Sequence, residues 1–565
     1  MDPNWLIARP DAERARTLAG ELGIAQPTAL VLVGRGLEDP DRARRFLAPR
    51  LGELRLPDAM AGFPRAVERL ARAVKSGETI GVFGDYDVDG VTTAALLASF
   101  LRACRAVCHV RLARRDAGYG FGAADATELA DRGCSLVITG DCGTSDHEAI
   151  AAARARGIDV IIVDHHQVPE RESAAYALIN PHQSACGFPF KGLCSAGVAF
   201  YLSAALRTRL RADGHFSGPE PDPRAWLDLV AVGTIADLAP LEDENRILVA
   251  AGLRLLAERR RPGLALLIER AQIDRVPSAF DVGFRIAPRL NAPGRLGDAE
   301  PALALLLADD LAQAHAAADA CEAANLKRQE IQDQVLREAL AEVERGCADS
   351  PAALLVAGQG WHPGVVGIVA AKLVDRYGLP AAVLAGEGAR FRGSVRSVPG
   401  FHAQRALAAC SQLLEKFGGH EGAAGLTVLA ERLEPFRQAF DREARQALAE
   451  GAPARQLAVD AEVALDEVDE RLAAELARLG PFGRGNPEPL LAAHAAAVRT
   501  RVVGQDHLQL TLCGRSACHD AIAFRLAERD PGQGAAVRVA FVPEIDQFRG
   551  QRRLRLRVRD LHAVA

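Results

Sequence analysis

From Phe63 onward the chain alternates short, apolar, β-branched runs with Ala/Leu-rich segments of helical length. Residues 79–83, 135–139 and 159–163 are the clearest of these runs. Continuous apolar strands divided by helices predict a parallel sheet covered on both faces. Each run ends in a polar, acidic loop, and an open α/β sheet binds its ligands just outside the carboxyl ends of its strands. The first fifty residues differ, with short helices predicted over 11–22 and 43–51 and polar turns between. After about Arg246 the pattern is helical, and 310–344 carries few breakers and many charges. Unbroken, that stretch would reach roughly 50 Å at 1.5 Å per residue, enough to connect two lobes. A second α/β pattern begins at 352–357 and runs to about Gln446, and 451–453 reads as a linker. Beyond Pro481, short alternating runs such as 507–512 and 553–559 predict a small barrel.

Composition bounds this picture. At 565 residues the chain implies about three or four domains of ~150 residues each. A net charge of -5 and a pI near 6.3 argue against a uniformly basic nucleic-acid coat or a polybasic membrane anchor. They leave room for a local basic groove, because a polyanion responds to the local field. Five of the 68 basic residues are lysines, which leaves 63 arginines and points to a genome-wide compositional drift. The eleven cysteines include no CxxC pair; the closest spacings are 104/108 and 513/518. A zinc knuckle and a disulfide framework are therefore not expected, and a reduced, cytoplasmic compartment fits better. Met1-Asp2-Pro3-Asn4 opens no signal peptide. No apolar stretch approaches the ~20 residues of a membrane span, so a soluble protein without a membrane partner is expected.

The chemistry is concentrated in the loops. Gly84-Asp85-Tyr86-Asp87-Val88-Asp89-Gly90 follows directly on the first apolar run. Three carboxylates at alternate positions repel one another unless a cation neutralises them, and a hard divalent metal is the obvious one. An EF-hand would need Glu at its twelfth position, where counting from Asp85 finds Leu96. The second run ends in Thr139-Gly140-Asp141-Cys142-Gly143-Thr144 and the third in Val163-Asp164-His165-His166-Gln167. Adjacent histidines after an apolar strand are seldom a packing device, since on a strand their side chains point to opposite faces. A fourth acidic point, Asp237 in Thr234-Ile235-Ala236-Asp237-Leu238-Ala239-Pro240, falls at a predicted helix end. Mixed carboxylate and imidazole ligands favour Mn²⁺, with Mg²⁺ second. So many carboxylates suit two ions ~3.5–4 Å apart, the arrangement used in phosphoester hydrolysis.

Asp164-His165-His166, with the acidic loop before it and Thr234–Pro240 after it, resembles the DHH phosphoesterase superfamily, and within it the single-strand-specific exonucleases. The resemblance covers nearly the whole chain. It includes Ala117-Gly118-Tyr119-Gly120, Asn180-Pro181, Ala287-Pro288-Arg289-Leu290-Asn291-Ala292-Pro293-Gly294-Arg295, Gly393-Ser394-Val395-Arg396-Ser397, Phe417-Gly418-Gly419-His420 and Gly480-Pro481-Phe482-Gly483-Arg484-Gly485-Asn486-Pro487. It implies metal ligation by Asp87, Asp89, Asp141, His165 and Asp237, with Asp141 bridging two ions. His166 would contact the scissile phosphate or the attacking water. Asp85 would be a ligand or stand behind one, and Asp164 would orient the histidines. Some relatives carry a metal-binding His where this chain has Phe83, and Cys142 replaces the more usual Asn of the second acidic loop.

The implied architecture is α/β: a helical extension (1–55), a parallel-sheet DHH lobe (56–255), a helical connector (256–348), a smaller DHH-associated α/β lobe (349–450) and a C-terminal OB-fold barrel (451–565). In the smaller lobe, Gly418-Gly419-His420 either lets a phosphate approach the backbone or is a plain turn. Arg396 with Ser394, and Arg289 and Arg295 around Asn291, offer guanidinium forks for a terminal phosphate; the resemblance assigns this lobe to the strand's 5′ end. Tyr119 is either a base-stacking residue or a turn tyrosine packed on its own loop. In 553–559, period two places Arg553, Arg555, Arg557 and Arg559 on one face and Leu554, Leu556 and Val558 in the core, predicting a DNA-facing wall. Phe541 and Phe548 are the nearest aromatics, so salt-sensitive phosphate contacts should dominate.

The resulting expectation is a 5′-to-3′ exonuclease of single-stranded DNA acting in repair or recombination, monomeric, and fed by a helicase and a single-strand-binding protein. The alternatives are a phosphodiesterase for short oligonucleotides or cyclic dinucleotides, and an inactive single-strand-binding scaffold. The barrel and N-terminal extension argue against the first. The intact acidic positions argue against the second.

Overall fold

The computed structural model describes residues 4–116, 118, 120–346, 351–449, 456–548 and 551–564. The chain folds into two compact units. The first contains Met1–Arg111, Gly120–Ala287 and Gln456–Ala565, and the second contains Leu112–Tyr119 and Pro288–Arg455.

The first unit opens with a strand not foreseen in the sequence, β1 (Asn4–Ile7), and helices Ala12–Leu22, Gln26–Gly34 and Pro40–Leu47. The last is shifted from the expected 43–51 because Asp39 caps it, accepting from Arg42 N at 2.7 Å, and Pro40 occupies its first turn. The catalytic sheet follows: β2 (Thr79–Gly84), β3 (Val107–Leu112), β4 (Cys134–Gly140), β5 (Asp159–Val163) and β6 (Ala177–Ile179), in the order β3-β2-β4-β5-β6. β2 pairs in parallel with β4, β4 with β5, and β5 with β6. Ile80, Val82, Leu136, Val137, Ile138, Ile161 and Ile162 are fully buried. That burial explains the continuous apolar runs, since both sheet faces are covered. All the acidic loops emerge at the carboxyl end of this sheet.

The second unit contains the 36-residue helix Leu311–Gly346, as expected for 310–344. Its sheet is built of β7 (Leu354–Gln359), β8 (Ala381–Glu387), β9 (Arg390–Arg396), β10 (Leu414–Gly419) and β11 (Ala423–Leu429), ordered β10-β11-β9-β8-β7. Only β7 and β8 run parallel; β8–β9, β9–β11 and β11–β10 are antiparallel.

The chain then returns to the first unit through β12 (Gln456–Val459), which pairs with β1, and β13 (Ala461–Glu462). The barrel strands are β14 (Leu491–Val503), β15 (His507–Cys513), β16 (Cys518–Ala523), β17 (Ala535–Phe548) and β18 (Gln551–Ala563). They close as β14-β15-β16-β18-β17 with β17 back on β14, and β16–β18 is the one parallel pair of this ring. The N-terminal helices share the barrel's core: Ala15, Leu18 and Leu32 pack with Leu472, Leu491, Leu510 and Phe541. Arg246, 3% exposed, joins these parts. Its guanidinium lies over the Phe46 ring, 3.7 Å from the centroid, and donates to the carbonyls of Phe46 (2.8 Å) and Leu479 (2.7 Å). The expectation that every thiol is reduced needs one correction, because Cys513 and Cys518 form a disulfide. They face each other across the β15–β16 hairpin with Cα atoms 4.1 Å apart. No single helix among the described residues is long and apolar enough to cross a membrane.

Candidate metal centre and nucleic-acid surfaces

Each acidic residue reaches the centre by a local device. Asp87 caps the helix Val88–Ala103, accepting from Gly90 N at 3.1 Å, so Asp89 lies in its first turn. The buried Asp89 carboxylate accepts from Ser195 N (2.7 Å) and Ala196 N (3.0 Å), at the amino end of helix Ser195–Ala212, where the helix dipole favours an anion. Asp141 follows β4 with a left-handed φ of 64°, its N–H donating to Val163 O at 3.0 Å. That conformation is rare for a residue with a Cβ and is held here by the β4–β5 pairing. Asp237 ends helix Leu227–Ala236. The helix comes this close because Gly233 lies against Thr92 and Asp89, where a Cβ would be 2.4 Å from the Thr92 hydroxyl.

The two histidines correct an expectation. Their rings do not point to opposite faces; the centroids are 4.7 Å apart and both rings face Asp141. The strand ends at Val163, and the Asp164 carboxylate accepts from His165 N (2.7 Å), His166 N (3.1 Å) and Thr144 N (3.2 Å), folding the segment into a turn. Asp164 also takes His166 Nδ1 at 2.7 Å.

His165 Nε2 is 3.2 Å from Asp141 Oδ1, 3.8 Å from Asp237 Oδ2 and 3.9 Å from Asp89 Oδ2. This nitrogen is buried and has no hydrogen-bond partner among the described residues. Ligand atoms of Asp85, Asp87 and Asp141 lie within 4.8 Å of one another, as do those of Asp141, His165 and His166. Asp141 thus belongs to both groups. Burial, reinforced by Asp87, Asp89, Asp85 and Asp164, pushes the Asp141 carboxyl well above its usual range. Burial and then the neighbouring Asp89 and Asp87 push Asp237 to about 8. Burial likewise raises Asp89 and lowers His165. Such a cluster is costly as bare charge, and an unpartnered imidazole nitrogen among carboxylates is the donor set of a divalent cation. His166 differs: burial would depress it, but the hydrogen bond and charge of Asp164 outweigh burial and raise it to about 9. Asp164 is held well below the usual carboxylate range in spite of its burial, chiefly by His166.

No motif in the sequence marks Ser195, whose hydroxyl is 3.2 Å from Asp141 Oδ1. Asn180 donates to His166 O at 2.8 Å and to the Thr144 hydroxyl at 3.2 Å, which explains the Asn-Pro after the DHH strand. Phe83 is fully buried and packs edge-on against Phe121 at 5.0 Å. Cys142 is buried and its thiol is pushed well up by burial.

In the second unit, register brings several predicted residues to one end of the sheet. Ser394 pairs with Gly425, which pairs with Gly418; Arg396 pairs with Ala423, whose carbonyl accepts from His420 N at 2.8 Å; and Gly419 pairs with Ala424. The Arg396 guanidinium donates to Ser394 Oγ at 2.6 Å, and burial lowers its pKa. Arg289, Asn291 and Arg295 lie on helix Ala287–Leu296. Arg289 pairs with Glu322 of the long helix at 2.7 Å, and Arg295 donates to Gly364 O at 3.4 Å. Tyr119 lies outside the described residues.

On the barrel, period two holds in β18: Leu556 and Val558 are buried, and Leu554 packs against the core. The arginine row, however, is not a bare cationic strip. Arg555 pairs with Asp546 (2.9 Å), Arg557 with Glu488 (2.7 Å) and Glu544 (2.9 Å), and Arg559 with Glu488 (3.1 Å). Arg553 stands opposite Asp546 in the ladder. Cross-strand acids on β17 answer this face, a pairing that a single strand cannot reveal. Phe541 is fully buried, and the Phe548 side chain lies outside the described residues. Around the β14–β15 hairpin, by contrast, Arg499, Arg501 and Arg525 have no side-chain partner among the described residues. Phe524 beside them is 51% exposed.

Residues 79–234 match the model of the DHH family N-terminal domain, 350–446 the DHHA1 domain and 459–560 the RecJ OB domain. The chain is 35% identical to the single-stranded-DNA-specific exonuclease RecJ of Bacillus subtilis, over 98% of this chain and 70% of that one. It is 37% identical to RecJ of Escherichia coli, over 88% and 89%. The crystal structure of Thermus thermophilus RecJ in complex with Mn²⁺ superposes with a TM-score of 0.85 at 30% identity, covering 99% of this chain and 79% of that one. The Mg²⁺ complex gives 0.79.

Proposed function

Because the chain belongs to the RecJ family of DHH phosphoesterases, we propose that it degrades single-stranded DNA from the 5′ end to mononucleotides, in repair and recombination. The observation that carries this reading is the buried His165 Nε2, without a hydrogen-bond partner among the described residues and within 4 Å of Asp141, Asp237 and Asp89. Two ions, Mn²⁺ before Mg²⁺, suit the carboxylate group of Asp85, Asp87 and Asp141 and the His165 nitrogen that faces Asp89, Asp141 and Asp237. Asp85, Asp87, Asp89, Asp141, His165 and Asp237 would hold them. Divalent ions bound there supply the positive charge that favours attack of water on a phosphodiester.

The chain's own residues do the rest. Asp164 takes Nδ1 of His166 and, against burial, favours the cationic ring, which would face the substrate. Its remaining N–H would donate to a scissile-phosphate oxygen as negative charge grows there. Ser195 N and Ala196 N keep Asp89 oriented, and Asn180 fixes the turn that carries both histidines. Ser394, Arg396 and the Gly418-Gly419-His420 edge would take the 5′ terminal phosphate, with Arg289, Asn291 and Arg295 contributing from their helix. Tyr119 would stack on a base. The barrel would receive the strand where its arginines lack acidic partners, over Arg499, Arg501 and Arg525, more than along Arg553, Arg555, Arg557 and Arg559. We further propose a cytoplasmic monomer supplied by a helicase and a single-strand-binding protein.

The test compares 5′-labelled single-stranded, duplex and dinucleotide substrates with Mn²⁺. Degradation of the single strand alone, lost in Asp141→Ala, is the expected outcome. Preference for the dinucleotide would favour a short-oligonucleotide phosphodiesterase, and undiminished activity of Asp141→Ala would remove the metal centre from the reaction.

A further inference from the structure

One sequence motif, Gly480-Pro481-Phe482-Gly483-Arg484-Gly485-Asn486-Pro487, takes no part in the centre described above. Its tip is a tight turn in which Gly483 N donates to Asn486 O (2.9 Å) and Asn486 N to Gly483 O (3.2 Å). Asn486 is buried; it donates to the carbonyls of Leu479 and Pro481 at 2.8 Å each and accepts from Arg35 at 2.9 Å. The turn is keyed to the segment that follows Asp237. Leu241 N donates to Arg484 O at 2.7 Å. A Cβ on Gly483 would lie 2.8 Å from Leu241 Cδ1, and one on Gly485, where φ is +78°, 2.9 Å from the Glu242 carboxylate. The left-handed φ at Gly485 favours glycine there, and at both positions a side chain would have to displace Leu241 or Glu242. From the other side Asn245 holds the same segment through Pro240 O at 2.9 Å.

The residue that the turn presents is Arg484. It is exposed and makes no side-chain hydrogen bond or ion pair among the described residues. Its backbone is nonetheless tied, through Leu241 N, to the segment that begins at the metal-centre residue Asp237. The turn thus fixes the backbone of Arg484 near the metal centre and leaves its guanidinium exposed. The same turn leads directly into β14 of the barrel. We propose that Arg484 binds a backbone phosphate of the DNA adjacent to the scissile one, joining the metal centre to the barrel surface. A guanidinium fork matches a phosphate, and the incoming strand supplies the anion that the protein withholds. This inference rests on the exonuclease reading above.

The test uses the full-length protein with Mn²⁺ and a single strand carrying one neutral methylphosphonate linkage, moved stepwise from the 5′ end. Arg484→Ala should lose roughly tenfold in kcat/KM on the unmodified strand, with Arg484→Lys recovering part of it. The slope of log affinity against log salt should fall by about 0.7, the value for one phosphate of a single strand. At one linkage near the cleaved bond the neutral substitution should abolish the difference between Arg484→Ala and the parent. Equal losses at every linkage, or an unchanged kcat/KM in Arg484→Ala, would overturn the proposal while leaving the exonuclease reading intact. Failure of the parent protein to degrade the unmodified strand would overturn both. Thermal unfolding and Mn²⁺ uptake matching the parent show that the variant is folded; if Arg484→Ala is not, Arg484→Gln decides by the same criteria.

Discussion

Asp164 and His166 hold each other in opposite charge states, and that pairing is the most specific residue-level feature of the centre. With Asp164 present, His166 keeps its proton to about 9. In Asp164→Asn the largest support is gone and only the more distant Asp87 and Asp237 still oppose burial, so the ring should give up its proton at a lower pH than in the parent. Single-turnover cleavage at pH 7.5 should fall by roughly 10²–10³, with the deficit narrowing toward pH 6. A deficit independent of pH would show that Asp164 does not act through the His166 proton. The carboxyls titrate in the other direction. Asp237 keeps its proton to about 8, and Asp89 and Asp141 are also raised, so cation binding must displace protons. Apparent Mn²⁺ affinity should therefore weaken from pH 8.5 to 6.5. Calorimetry at pH 7 in two buffers of different ionisation enthalpy should register proton release. A carboxyl whose folded pKa exceeds its unfolded value of ~3.9 contributes stability that is complete below the unfolded value and lost as pH rises through the folded one. The metal-stripped protein should accordingly melt lower at pH 8.5 than at pH 6. Mn²⁺ at about 100 times its Kd should restore ~2.7 kcal/mol.

At the scale of elements, three of the five strands of the catalytic sheet, β2, β4 and β5, were legible because both faces are buried, so hydrophobicity alone marks 79–83, 135–139 and 159–163, whereas β3 buries only Leu112 and β6 is three residues long. Helix Gln26–Gly34 was not, since Thr28, Ala29, Val31, Leu32 and Val33 are all buried and leave no polar face to set a period. The β18 arginines show the limit of reading one strand. Its alternation was correct, but the partners of Arg555, Arg557 and Arg559 lie outside it, on the neighbouring strand β17 and at Glu488. Charge reversal should separate the two surfaces. Arg501→Glu should weaken single-strand binding severalfold more than Arg555→Glu, as fluorescence anisotropy at moderate salt would measure. Equal losses would return the track to β18.

At the scale of the whole molecule, the N-terminal helices and the barrel act as one core within the first unit, with Arg246 at their junction. Arg246→Ala leaves the carbonyls of Phe46 and Leu479 without their donor and empties the space over the Phe46 ring. It should destabilise this unit by ~3–5 kcal/mol, read as a shift in the denaturant midpoint. A chain beginning at Leu51 would expose Leu472, Leu476 and their neighbours and should be insoluble. What the sequence determined by itself was the list of chemical groups and their order: apolar strands that must be covered, each ending in a carboxylate or imidazole that burial alone cannot explain. Tertiary structure decided what those groups face. The turn that puts both histidines on one side, the helix end that receives Asp89, the acids that answer the β18 arginines and the turn that ties Arg484 to Leu241 all join residues of different elements or turned by backbone hydrogen bonds. Local pattern carries no record of them, because hydrophobic periodicity reports which side of an element is buried and not what it is buried against.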